Sequence, residues 1–237
     1  MKFDQPLIEG SLIKRYKRFL ADIALPNGEI ITAHCPNTGS MLGCAEPGST
    51  VWLSRAKNLD RKYPLTWEIL KNQSGTLIGI NTGLSNRLVK EAIEGGLISS
   101  FSGYNTIRTE VRFGLENSRV DLLLESATGQ PDCYIEVKNV TASVVDGIAI
   151  FPDAVSARGT KHLRELIAVV EGGERAVLCY CVQRGDVKSV RPADQIDPLY
   201  GSTLRLAISH GVEVIAYSAE ISLEGITLKN NIPVVCP

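Results

Sequence analysis

The stretch CYIEVKNV, residues 133–140, places Glu136 and Lys138 two positions apart in an otherwise apolar run. Its β-branched and aromatic residues read as a buried strand. The two-residue period of a strand puts both charges on one face. A second strand-like run, SRVDLLLE, carries Asp121, and the link SATGQPD between the two runs is short enough for a hairpin. A turn centred between Thr128 and Gly129 makes facing positions sum to 257, which sets Asp121 opposite Glu136 and Arg119 opposite Lys138. The preceding run, NTIRTEVRF, pairs with SRVDLLLE about the Gly114–Asn117 link with positions summing to 231. Glu110 then faces Asp121, and Arg112 faces Arg119. This register predicts a carboxylate row Glu110–Asp121–Glu136 beside a basic row Arg112–Arg119–Lys138. Val111, Val120, Leu122, Ile135 and Val137 fall on the opposite, core face.

Like charges directly opposite one another destabilise a sheet, so three aligned carboxylates call for a positive partner. A hard divalent cation such as Mg²⁺ or Mn²⁺ prefers carboxylate oxygens and water. A lysine beside such a centre has a chemical task, as a fixed charge near a metal-bound water or a scissile phosphate. The alternative is a solvated lattice of diagonal Glu–Arg and Asp–Lys pairs on an exposed face. Alignment of acid with acid, rather than acid with base, weighs against it.

The elements that must position these residues divide the chain in two. Before Thr82 there are short β-like runs and turn signals without a convincing helix. SLIKRYKRFLADIAL leads through the turn Pro26-Asn27-Gly28 into EIITAHC, and TVWLSRA, LTWEIL and TLIGINT follow. About five short strands in such a length suggest a small OB-like β-barrel. From Leu84 the pattern is a helix (LSNRLVKEAIEGG), three strands, and an amphipathic helix (RGTKHLRELIAVVEGG). A buried strand (RAVLCYCV), a helix around Gly201 and two closing strands complete it. The expected fold is mixed α/β, with domains 1–82 and 83–237.

Composition is that of an ordinary globular protein, 44% hydrophobic and 22% charged. The longest apolar run, AVLCYCV, is too short to span a bilayer, and MKFDQPLIEG lacks the apolar core of a signal peptide. These features and six unpatterned cysteines read as a reduced cytoplasmic protein with no membrane partner. His34, Cys35 and Cys44 lack the second ligand pair of a zinc site. The net charge of −1 hides an asymmetry: residues 1–82 hold 10 Lys+Arg against 7 Asp+Glu, and the remainder 15 against 19. The basic half fits a polyanion. KRYKRF (14–19) and RAKNLDRKYPLTW (55–67) supply phosphate candidates Arg15, Lys17, Arg18, Arg55, Lys57, Arg61 and Lys62, with Tyr63 and Trp67 as stacking candidates. Trp67 fits either a base or the core. HCPNTGSM (34–41) reads as turn chemistry or as backbone N–H groups offered to a phosphate. Lys161 and His162 are expected on the polar side of their helix, within reach of a phosphate.

The order helix, three strands, helix, strand, with an acid facing E-x-K, resembles the PD-(D/E)XK nuclease fold. That resemblance assigns Asp121, Glu136 and Lys138 to the motif, although Arg119-Val120 precedes the acid where a proline is usual. It adds an acid from the first helix, here Glu91, as a competitor of Glu110. The chain also resembles, nearly end to end, the sugar fermentation stimulation protein A family. IKRYKRFLADI, HCPNTGSM, RKYPLTWE, NRLVKEAI, SGY, SRVDLLL, YIEVKNVT, FPDAVSARGTKHLREL and GVEVIAYSAEIS carry it, in that order. The resemblance implies an OB-like domain followed by a restriction-endonuclease-like domain, DNA binding, and a role in the regulation of sugar metabolism. The implied site holds Mg²⁺ or Mn²⁺ on Asp121, Glu136 and the Val137 carbonyl, with Lys138 acting on the phosphate. A non-catalytic DNA-binding regulator on the same fold is the alternative. DNA bound without sequence preference is the expected partner, and a homo-oligomer is left open.

Overall fold

The computed structural model describes residues 1–58, 60–114 and 118–237. The link at 115–117, about which the first hairpin was centred, lies outside the described residues. Six strands open the chain: β1 (Ile8–Tyr16), β2 (Leu20–Ala24), β3 (Ile30–His34), β4 (Thr50–Arg55), β5 (Leu65–Lys71) and β6 (Leu77–Gly79). They order as β3-β2-β1-β4-β5-β6, and a parallel contact of His34 with Thr66 joins β3 to β5 and closes a five-strand barrel. Register shifts at Leu12/Lys14 and Trp52/Leu53 supply the local bends that closure needs. Leu12, Ile23, Val51, Leu53 and Trp67 fill the barrel.

One strand boundary differs from the sequence expectation. The run SLIKRYKRFLADIAL is two strands, separated by a turn in which Lys17 and Arg18 have φ of 49° and 66°. Gly or Asn favours that left-handed region, and neither is present to mark the turn. The Pro26-Asn27-Gly28 turn is where it was expected, with Gly28 at φ 85°.

The second unit contains α1 (Ser85–Glu94), β7 (Thr106–Phe113), β8 (Ser118–Glu125), β9 (Cys133–Val140), β10 (Ser143–Val144) and β11 (Ile148–Phe151). Then follow α2 (Ala157–Glu171), β12 (Arg175–Val182), β13 (Ser189–Pro192), α3 (Pro198–Ser209), β14 (Glu213–Ile221) and β15 (Ile226–Asn231). The main sheet is ordered β15-β14-β12-β9-β8-β7, and β9, β12 and β14 run parallel. Leu88, Val89 and Ala92 of α1 pack on one face, and Leu163, Leu166 and Leu204 of α2 and α3 on the other. Sequence reading missed the small sheet β10-β11-β13, whose strands are too short to show a period. Gly201 does not interrupt α3, because its bare Cα sits against the Asp194 carboxylate.

Both hairpin registers are observed. Leu122–Leu124 pair with Ile135–Cys133, and β7 pairs with β8 from Thr106↔Glu125 to Phe113↔Ser118. The predicted single core face is not. Val111 and Val120 pack on the α2 side, whereas Leu122, Ile135 and Val137 pack on the α1 side. Glu110, with φ 55°, lies opposite Asp121 where β7 and β8 are irregular, and the strands change face there.

The two units interlock. Gln183 donates to the Asn81 carbonyl (3.0 Å), and the Met41 N–H and Ser40 Oγ donate to Asp153 Oδ2 (3.0 and 3.1 Å). Residues 1–3, assigned from sequence to the first domain, pair instead with 224–226 of the second, because Met1 and Phe3 pack into the α1-side core. Among the described residues no helix is long and apolar enough to cross a membrane.

Candidate functional site

The β8–β9 ladder ends at Leu122↔Ile135, one pair short of Asp121 and Glu136. Beyond that pair the strands part, and side chains replace ladder bonds. Asp121 Oδ2 accepts the Val137 N–H at 2.7 Å, and Asp121 Oδ1 accepts Asn86 Nδ2 at 2.8 Å. Asn86 stands in the first turn of α1, so that helix fixes the carboxylate's orientation. A strand residue directs its N–H and C=O to the same side, so the Val137 carbonyl faces the same gap. Burial pushes the Asp121 carboxyl above its ordinary pKa, and the neighbouring Glu136 charge pushes it further.

Glu136 reaches the other way, to α2. It is only 2% exposed, and its Oε1 accepts from both Lys138 Nζ and His162 Nδ1. His162 Nε2 accepts in turn from Arg158 Nε at 3.4 Å, which places the ring proton on Nδ1, toward Glu136. Burial alone would raise the Glu136 pKa, but the His162 hydrogen bond and the Lys138 charge outweigh it and bring it below the ordinary value. Glu136 Oε2 is buried and, among the described residues, has no hydrogen-bond partner. Sequence reading placed His162 on the polar side of α2. It is 4% exposed and lies one helical turn from Leu166, on the stripe that packs against β9.

The acids proposed to complete the site fare differently. Glu110 is exposed and stands opposite Asp121 in register. Glu91 is drawn away: it pairs with the Met1 ammonium at 2.7 Å and with Arg87 at 2.8 Å, and from α1 it is Asn86 that reaches Asp121. The carboxylates therefore do not form one row on one face. Among the described residues no three His, Cys, Asp or Glu side chains converge as a cation cage. Two carboxylates and a carbonyl suffice for Mg²⁺, which usually keeps several waters and binds through one or two carboxylates. The buried, unpartnered Glu136 oxygen fits such a cation.

The barrel contributes a wall. The loop at 36–41 lies against the strand end that follows Lys138, and a cavity of about 370 Å³ opens between Asn37–Gly39 and Lys138–Ala142. Arg15 and Arg18, expected to hold phosphates, are engaged with this loop. Arg15 Nη2 donates to the carbonyls of Arg18, Asn37 and Gly39, and Arg18 donates to the Thr38 carbonyl. Trp67, expected to stack on a base, is fully buried in the barrel and donates to the Ile69 carbonyl at 3.0 Å. Lys17, Arg55, Lys57, Arg61 and Lys62 are exposed, and Lys62 lies over the half-buried Tyr63 ring. Lys57 also meets Asp4 at 2.9 Å, an exposed pair of little strength.

Residues 13–80 match the SfsA N-terminal OB domain, and residues 83–225 match the Sugar fermentation stimulation protein RE domain. A sugar fermentation stimulation protein homolog of Thioalkalivibrio sulfidiphilus is 58% identical over 97% of this chain and 95% of its own. One from Alkalilimnicola ehrlichii is 55% identical over the full length of both. Among solved structures, Pyrococcus furiosus SfsA in complex with Ca²⁺ superposes with a TM-score of 0.88 at 26% identity, covering 99% of this chain and 98% of that one.

Proposed function

The chain belongs to the sugar fermentation stimulation protein family, and from that premise we propose that it binds DNA and cleaves its phosphodiester backbone with Mg²⁺ or Mn²⁺. The observation that carries the reading is Glu136: one carboxylate oxygen takes two donors, the other is buried without any among the described residues, and Asp121 stands across the parted strands. Asp121, Glu136 and the Val137 carbonyl would hold the cation, which when bound supplies Lewis-acid charge against the phosphate. Asn86 and the Val137 N–H orient Asp121. His162 holds Glu136 by Oε1, leaving Oε2 toward the cation. Lys138 places a positive charge where the phosphate gains negative charge in the transition state. The exposed cations Lys17, Arg55, Lys57, Arg61 and Lys62 would track the DNA backbone, and a regulatory role in sugar metabolism is what membership of the family suggests. The Pyrococcus furiosus relative, solved with Ca²⁺, is consistent with a hard-cation site.

A second reading, a DNA-binding regulator without turnover, is favoured by one observation: Lys138 is already paired with Glu136, which draws its charge away from a phosphate. Calorimetric titration with Mn²⁺ tests the metal site common to both. The parent should bind, and Asp121→Asn and Glu136→Gln should each abolish binding. Parent-like binding by both variants would refute the assignment.

A further inference from the structure

The cavity beside Lys138 has a built chemistry that cation binding does not use. We infer that it takes one unpaired nucleotide of the strand being cut, an inference that rests on the phosphodiesterase reading. At about 370 Å³ it lies at the small end of ligand pockets, which run roughly 300–1,000 Å³. That is room for one nucleotide. Its walls come from both domains and are fixed. Arg15 ties the carbonyls of Asn37 and Gly39, Thr82 ties Pro36, and Met41 N–H donates to Asp153 Oδ2 at 3.0 Å.

The lining is polarised. Lys138 offers a cation for a phosphate. Asp153 repels phosphate and, among the described residues, has Oδ1 without a hydrogen bond, an acceptor for amino or ring N–H groups of a base. Asn139 has its Oδ1 occupied by Ser85 and Gln183, which leaves its amide N–H groups as donors. Phe151, half-buried, is also a lining residue, and its ring is held by Tyr180 and Tyr200 at 5.6 and 5.2 Å between centroids, an ordered aromatic at the cavity on which a base can stack. A base in a duplex must leave its stack to enter such a pocket, at a cost of a few kcal/mol that is least for an unpaired base. Overhangs, flaps and gaps are therefore the preferred substrates.

The test uses the full chain in EDTA, where no cleavage interferes. Probes carry 2-aminopurine, a fluorescent adenine isostere that brightens on leaving its stack, either unpaired at an overhang or paired inside a duplex. The expected result is brightening of the unpaired probe and roughly tenfold tighter binding than the paired one, the worth of one stacked base. Thr38→Trp, on the exposed wall of the mouth, should remove both effects while leaving affinity for fully paired duplex, read by anisotropy, unchanged. Equal behaviour of the two probes, or brightening that survives Thr38→Trp, would overturn the inference while duplex binding upholds the DNA-binding half of the function on which it rests. Loss of all DNA binding by the parent would sink both.

Discussion

Two carboxylates of the same site carry opposite electrostatic signs. Asp121 has a folded-state pKa above its ordinary value, so between the two values the folded protein binds more protons than the unfolded chain. Metal-free stability therefore falls as pH rises through the carboxylate range and stays lower above it. Glu136 has a folded pKa below its ordinary value, so its contribution is present above the usual glutamate range and is lost as pH falls through the folded value. At pH 7 in EDTA, Asp121→Asn should melt at or above the parent, and Glu136→Gln should melt below it because Lys138 and His162 exchange a charged acceptor for a neutral amide oxygen. Thermal melts from pH 3 to 8 check both signs, and the Asp121→Asn difference should vanish at the acid end. A sequence argument from repulsion among aligned acids makes the two alike. It could see Asp121, Glu136 and Lys138 because strand period and short links fix them. It could not see His162 as the partner of Glu136, because His162 lies between Lys161 and Leu163 and only the packed helix brings it to that carboxylate.

At the scale of elements, the hairpin registers were legible because links of a few residues leave little freedom. What was not legible is where a strand turns over. Glu110 at φ 55° is a non-glycine residue in a conformation that costs L-residues roughly 1–2 kcal/mol, and no Gly or Asn marks it. The same blindness merged β1 with β2 across Lys17 and Arg18. Trp67 shows the converse: Thr66 and Glu68 around it suit either face, and barrel closure through Thr66 settles that the ring is core. Glu110→Gly should relieve the backbone and raise stability by about 1 kcal/mol, a rise of roughly 2–4 °C in Tm for a chain of this size. A fall in Tm would mean that the carboxylate stabilises the strand more than the conformation strains it.

At the scale of the molecule, the acidic and basic halves of the sequence fold into units that share one cavity. The barrel loop at 36–41 is the wall of a site whose charged groups belong to the other unit. Contact between residues so distant in sequence is what sequence reading could not supply, although each segment by itself carries residues that suit a phosphate site. The exposed cations Arg55, Lys57, Arg61 and Lys62 lie far along the chain from the carboxylates. DNA affinity should accordingly survive EDTA and fall steeply with salt, because each phosphate contact releases condensed counterions with a slope of about −0.9 on duplex. Replacing these four residues by alanine should flatten the slope by the number of true contacts, and an unchanged slope in fluorescence anisotropy would move the DNA off these four residues. The most direct measurement for the whole account is single-turnover cleavage of an overhang-bearing duplex by the purified parent and by Lys138→Ala, in Mn²⁺, Mg²⁺ and EDTA. The account predicts cleavage by the parent with either metal and none in EDTA. It predicts a rate roughly 10²–10³-fold lower for Lys138→Ala, the loss expected for one transition-state charge, with metal affinity held within a few-fold. Cleavage that persists in EDTA, or equal rates for parent and variant, would contradict it.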